Sequence, residues 1–184
     1  MKTVNQIRTG KLTAIISFLI GTTLFLLYYI TENDNLIFIG YVYVIIIGLI
    51  NLGVLMWLAT KSTNDLNLKK GLSQAKKLIL LNIPIATIYL IGILTLMSYM
   101  RITFVNNTNS EISNIQIIGC EEKEISKILP NDSITKWIAI NGDCSISIKY
   151  NDSGIEKEEI VVHYVSGVMG QRYKYRIGED DGKF

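Results

Sequence analysis

Charged side chains are absent from three long stretches in the first part of the chain. The stretches run from Leu12 to Ile30, from Leu36 to Leu58 and from Leu78 to Met100, and none of them contains Asp, Glu, Lys, Arg or His. A helix rises about 1.5 Å per residue, so each would cross the ~30 Å hydrocarbon core of a bilayer. The sequence predicts three transmembrane helices, and the missing charges argue against a transporter that works alone.

Cysteine and histidine are also scarce. The chain has only Cys120, Cys144 and His163, which fall short of the four ligands and close pairs typical of a structural metal site. We therefore expect no metal and no cofactor. In an oxidising compartment the two cysteines would form a disulfide, which we favour over two buried thiols.

Catalytic motifs are missing as well. The sequence has no Gly-rich phosphate loop, nucleophile elbow or metalloprotease helix. His163 falls in a predicted strand, and its nearest serine, Ser166, lies on the same strand, an arrangement that does not define a catalytic triad. The sequence therefore predicts a protein that is not an enzyme.

Basic residues flank the apolar stretches unevenly. Residues 1–11 hold three bases and no acid, the connection at 59–77 holds five lysines against one acid, and the turn at 31–35 holds two acids and no base. Because basic flanks stay in the cytoplasm, we expect a multi-pass protein of the cell (inner) membrane with a cytoplasmic N-terminus. Everything after residue 100 would then be periplasmic or extracellular.

The first stretch also resembles a signal peptide, but it is longer than usual and no small-x-small cleavage pattern follows it. We expect an uncleaved anchor. The net charge of +2 is a sum over separate segments and gives no reason to expect a nucleic acid partner.

Two asparagines, Asn51 and Asn82, lie within the predicted spans. Amides at this depth usually hydrogen-bond between helices, and they can also join copies of a chain into an oligomer. The alternative is a polar pathway lined by these residues near the kink expected at Pro84. Packing is the interpretation we favour.

The hydrophobic pattern changes after residue 100. This change divides the chain into a membrane domain, 1–100, and an outer domain, 101–184. Short segments of alternating polarity, separated by turn residues, predict β-strands. With one face towards a core and one towards water, they predict a small antiparallel β-sandwich. The seven predicted strands are 102–106, 112–118, 123–129, 134–140, 144–150, 158–165 and 171–177.

Turn residues separate these strands at Pro130-Asn131-Asp132, at Asn141-Gly142 and at 151–154. Asn141-Gly142 between two strong strands is the clearest hairpin signal. The outer domain resembles immunoglobulin-like modules in strand count and alternation, although it lacks their Cys, Trp, Cys spacing. That resemblance implies a fold and no activity.

The last predicted strand carries a basic ladder of Arg172, Lys174 and Arg176 on one face. The ladder either pairs across the sheet with acids such as Glu156, Glu158 and Glu159, or serves as a recognition surface for a partner. Two acidic runs, at 121–124 and 179–181, are expected to be solvated chain segments rather than cation sites.

These features favour a non-enzymatic membrane protein whose outer domain binds another protein, as an accessory or assembly subunit of an envelope complex. A close alternative is an immunity protein that neutralises a toxin acting at the membrane or in the periplasm. A second alternative is a subunit of a channel or transporter.

Overall fold

The computed structural model describes residues 2–179, and the chain divides into two compact units, one ending at Ile93 and the other beginning at Leu94. Three long apolar helices come first and seven short strands follow. The helices are α1 (Lys2–Thr31), α2 (Asn35–Ala59) and α3 (Leu66–Met97). The strands are β1 (Tyr99–Asn106), β2 (Ile112–Gly119), β3 (Lys123–Ile128), β4 (Ser133–Ala139), β5 (Cys144–Asp152), β6 (Ile155–Val165) and β7 (Arg172–Ile177).

All three helices are long and apolar enough to cross a membrane, which confirms the prediction at that level. The third begins well before its apolar stretch because Asp65 caps it: the Asp65 Oδ1 accepts hydrogen bonds from the N–H groups of Asn67 (2.8 Å) and Leu68 (3.2 Å). It ends at Met97, before the predicted limit at Met100.

The helices pack together through small residues. A Cβ placed on Gly10 would lie 2.6 Å from Leu58 Cδ1, and one on Gly92 would lie 3.0 Å from the Phe25 ring. Glycine therefore permits a close approach at both positions, where a Cβ would require the neighbouring side chain to shift.

Two sheets make up the rest of the chain, one of three strands in the order β4-β1-β7 and one of four strands in the order β3-β2-β5-β6. All seven strands were predicted, with ends that differ by a few residues. The inner faces of both sheets bury one hydrophobic core, in which Phe104 and Tyr150 are the largest enclosed side chains. The arrangement is that of a small sandwich.

β1 starts three residues earlier than the sequence indicates. Met100 pairs with Ile138 of β4 and is fully buried, so it belongs to the sheet core rather than to the helix. Only Ser98 separates α3 from β1. Apolar residues at this junction fit a helix and a strand equally well, and the period alone could not divide them.

One strand pair departs from the antiparallel prediction. β7 runs parallel to β1, with Arg101 opposite Arg172 and Phe104 opposite Tyr175. The cause is the connection after β6, which passes from the four-stranded to the three-stranded sheet. A hairpin joins antiparallel neighbours, whereas a connection that crosses between sheets allows β7 to begin at the same end of the sheet as β1.

The hairpin predicted at Asn141-Gly142 was wrong. β4 pairs with β1 and β5 pairs with β2 and β6, so this turn carries the chain from one sheet to the other. A turn signal shows that the chain changes direction, but it does not choose the strand's partner. The tight two-residue hairpin is Ser153-Gly154, where φ values of 54° and 87° suit a type I′ turn between β5 and β6.

Substituting Gly119, the last residue of β2, tests how closely β2 approaches β5. Its φ is +122°, and an added Cβ would lie 1.8 Å from the carbonyl oxygen of Ser145. We expect Gly119→Ala to lower the free energy of unfolding of the β unit by roughly 2 kcal/mol or more. Thermal unfolding followed by near-UV circular dichroism measures this. Gly167→Ala is the control, since nothing lies within 4 Å of that position, and equal melting temperatures would contradict the prediction.

Candidate functional site

The predicted basic ladder lies on an edge strand. Arg172, Lys174 and Arg176 point to the exposed face of β7, while Tyr175 and Ile177, on the other face, are buried. Because β7 is the last strand of the three-stranded sheet, only β1 adjoins the ladder within the sheet.

The parallel register adds a fourth cation to this ladder. Arg101 of β1 stands directly opposite Arg172, and Thr103 stands opposite Lys174. Side chains on one face of a strand repeat about every 7 Å, so the four bases occupy one continuous patch. We call Arg101, Arg172, Lys174 and Arg176 the basic face.

Trp137 of β4 completes the patch on the other side of β1. It pairs with Arg101 across the strands, and the Arg101 guanidinium carbon lies 5.5 Å from the centre of the indole ring. Arg101 is only 3% exposed, whereas Trp137 is 42% exposed. The Tyr99 ring packs edge-on against the indole at 5.9 Å. The aromatic pair thus covers one cation and presents an apolar surface beside the others.

Acidic residues are missing from this side of the sheet. Among the outward-facing residues of β1, β4 and β7, all of which the structure describes, none is Asp or Glu. Glu179 contacts the edge of the basic face at Arg176 (3.2 Å). These three strands therefore contribute bases and no acid to this face.

Cross-strand pairing of the ladder with the acids of β6 does not occur, because β6 and β7 lie in different sheets. Glu158 instead forms an ion pair with Lys149 at 3.5 Å. Glu159 accepts hydrogen bonds from the hydroxyls of Tyr150 (2.5 Å) and Tyr175 (2.7 Å). Sequence adjacency of charges could not reveal this, since the sheet assignment of β7 depends on the tertiary fold.

The Glu159 carboxylate therefore joins the two sheets, since Tyr150 belongs to β5 and Tyr175 to β7. Burial, together with the hydrogen bond to Glu159, raises the pKa of Tyr150. The Tyr150 hydroxyl stays protonated and acts as a donor.

Cys120 and Cys144 are at disulfide distance, with Cα atoms 5.2 Å apart. They follow the end of β2 and open β5, which are neighbours in the four-stranded sheet. The bridge lies next to the close contact at Gly119 and holds the ends of these two strands together.

Asn51 and Asn82, the asparagines within the predicted spans, both bond to α1. The Asn51 side chain donates to Ser17 Oγ (3.0 Å), and the Asn82 side chain donates to the carbonyl oxygen of Ala14 (3.1 Å). Ala14 and Ser17 are three residues apart and share one face of α1. These contacts are the kind that helix packing requires.

The sequence also singled out possible metal ligands and His163. The part of the chain that the structure describes contains no cluster of three His, Cys, Asp or Glu side chains that could hold a metal ion. His163 is exposed on β6. Asp180 and Asp181 of the predicted acidic tail lie outside the described residues.

Of the acidic run at 121–124, Glu121 has a structural contact. Its Oε2 accepts a hydrogen bond from the Ala139 N–H (2.6 Å) and forms an ion pair with Lys123 (3.1 Å). The Lys123 ammonium also donates to the carbonyl oxygen of Trp137. The turn before β3 is thereby bonded to β4, which supports the strand that carries Trp137.

Sequence reasoning missed Arg101 and Trp137 as members of the patch. Both lie in strands of alternating polarity, but only the β4-β1-β7 order places them beside Arg172. Trp137 is identified as the partner of Arg101 only when the register of β1 and β4 is known.

Comparison with protein families and with curated proteins finds no match. Among solved structures, the NMR structure of a protein from Eubacterium rectale is similar over 45% of this chain and 81% of that chain, with 17% sequence identity and a TM-score of 0.35. A likeness at this level gives no information about function.

The bonds of Glu121 predict a pH dependence. The Ala139 N–H first, and then Lys123, hold the pKa of Glu121 below its ordinary value of 4.5. A depressed folded-state pKa contributes stability that is present above the unfolded value and is lost as the pH falls through the folded one. Between about pH 5 and pH 3, the parent protein should therefore lose more thermal stability than Glu121→Gln. The control is Glu122→Gln at the exposed neighbour, and equal slopes for all three proteins would refute the prediction.

Proposed function

We propose that this chain is a three-span membrane protein with a cytoplasmic N-terminus and an outer β domain. The apolar surface of the helices supports the spanning: only 6% of the most apolar window of α2, and of that of α3, is buried by the protein itself. Surfaces of this kind require lipid or another apolar phase.

The distribution of charge supports the orientation. The bases of the helical unit flank the start of α1, the end of α2 and the start of α3, and Lys11 donates to Gln74 at 3.0 Å across α1 and α3. The acids Glu32 and Asp34 lie in the opposite turn between α1 and α2. A basic end remains in the cytoplasm, which directs residues after α3 to the other side. The cysteine pair suits such an oxidising compartment.

We further propose that the outer domain binds a protein partner, as an accessory or assembly subunit of an envelope complex. The observation that carries this proposal is the basic face beside the exposed Trp137. A row of basic side chains along one strand attracts an acidic surface and speeds its association. An exposed indole next to arginine is the type of anchor that dominates binding energy at interfaces.

An immunity role would use the same face against an acidic toxin, so the identity of the captured partner separates the two versions. A channel or transporter subunit is less favoured, because Asn51 and Asn82 bond to α1 and the apolar stretches carry no charge. Catalysis has no part in the proposal.

The orientation is testable with single cysteines in the full chain. Ser153→Cys lies in the β5–β6 turn, and Asn64→Cys lies in the connection between α2 and α3. A membrane-impermeant maleimide should label the first in intact cells and the second only after the inner membrane is permeabilised. The reverse pattern would overturn the orientation, and labelling of both in intact cells would overturn the three-span arrangement.

Charge reversal tests the binding face. K174E/R176E reverses the charge of two basic-face residues in β7. The control variant, K127E/K149E, makes the same change in charge on the four-stranded sheet. Because rim charges act locally, we expect the first variant to lower the partner recovered by crosslinking in native membranes by about tenfold and the second to leave it unchanged.

Quantitative mass spectrometry of the crosslinked material gives the measurement. Equal losses in both double variants would show that overall charge, rather than this face, drives association. Undiminished recovery with K174E/R176E, with both proteins folded, would refute the proposed face.

A further inference from the structure

The connection between β6 and β7, residues 166–171, is an uncharged loop with an apolar tip. Its sequence is Ser-Gly-Val-Met-Gly-Gln. Val168 is 62% exposed and Met169 is 47% exposed. Exposing two adjacent apolar side chains to water is unfavourable, and covering them with an apolar phase is favourable.

The backbone of this loop is bonded to the end of α3. The Gly170 N–H donates to the carbonyl oxygen of Met97 at 2.8 Å. A Cβ on Gly170 would lie 2.5 Å from the carbonyl oxygens of both Leu96 and Tyr99, so only glycine fits. The loop therefore lies at the level of the last turn of α3.

The loop also holds a definite shape. The Met169 N–H donates to the Ser166 carbonyl oxygen at 3.1 Å, and Val168 has a φ of +68°. A β-branched residue rarely adopts this left-handed conformation and does so only where its surroundings impose it. The bonded turn keeps Val168 exposed instead of returning it to the core.

The length of α3 indicates what lies at that level. From Leu78, the first residue after Lys77, to Met97 the helix has twenty uncharged residues, which span about 30 Å. That is the thickness of the hydrocarbon core of a bilayer. If α3 spans the bilayer as proposed, Met97 stands at the outer boundary of the lipid, with Gly170 bonded to it.

We propose that the 166–171 loop inserts Val168 and Met169 into the outer lipid interface beside α3. The inference rests on the proposed membrane span of α3. Amphipathic surface segments bury apolar side chains at the boundary between headgroups and acyl chains, and this loop offers the same chemistry in a small patch.

Depth-dependent fluorescence quenching tests this insertion in the full chain. Val168→Cys is labelled with an environment-sensitive nitrobenzoxadiazole dye, with the Cys120–Cys144 pair left oxidised, and the protein is reconstituted in phosphatidylcholine and phosphatidylglycerol vesicles. Spin-labelled lipids with the nitroxide high or low on the acyl chain report the depth.

Two further labels serve as controls. Leu129→Cys carries an apolar exposed residue (48% exposed) in the turn between β3 and β4, at the other end of the sheets. Ile88→Cys lies in the middle of the apolar part of α3. We expect blue-shifted emission and strong quenching by shallow nitroxides at position 168, quenching by deep nitroxides at position 88, and aqueous emission at position 129.

Each result has a separate meaning. If position 88 is quenched by deep nitroxides while position 168 behaves like position 129, the insertion is refuted and the membrane span stands. If position 88 is not quenched, the proposed span itself fails, and the insertion fails with it.

Discussion

The direct passage from α3 into β1 is the constraint on which the β unit depends. Only Ser98 stands between the two elements, and its backbone is fully engaged: the Ser98 N–H donates to Leu94 and Thr95, and its carbonyl oxygen accepts from the Ile140 N–H. β1 is also the central strand of its sheet. The strand that continues the helix therefore positions β4 on one side and β7 on the other.

The same strand assembles the basic face. Arg101 of β1 meets Trp137 of β4 and Arg172 of β7 because both neighbours are registered against it. Bonds elsewhere hold these neighbours in place. The turn before β3 is tied to β4 through Glu121, and β7 is tied to the other sheet through Tyr175 and Glu159. The polar contacts of the β unit thus serve to fix the strands that carry its surface charge.

Local sequence pattern predicts the helices, the strands and the cysteine pair. Uncharged runs such as Leu36 to Leu58 are enough to predict a long apolar helix, because one-dimensional length and polarity decide whether a helix suits lipid. Alternation likewise located all seven strands, and the positions of Cys120 and Cys144 permitted the pair found at disulfide distance. These features are local, and local periodicity records them.

Partner choice between strands is not local. The Asn141-Gly142 turn predicted a hairpin, yet it connects two sheets. β7 pairs in parallel with β1, although the alternation of polarity predicted an antiparallel sandwich. Which face of which strand meets another depends on how the two sheets bury Phe104, Tyr150 and the rest of one core. Arg101 and Trp137 consequently joined the candidate site only through the tertiary structure, because residues far apart in the chain become neighbours when the core closes.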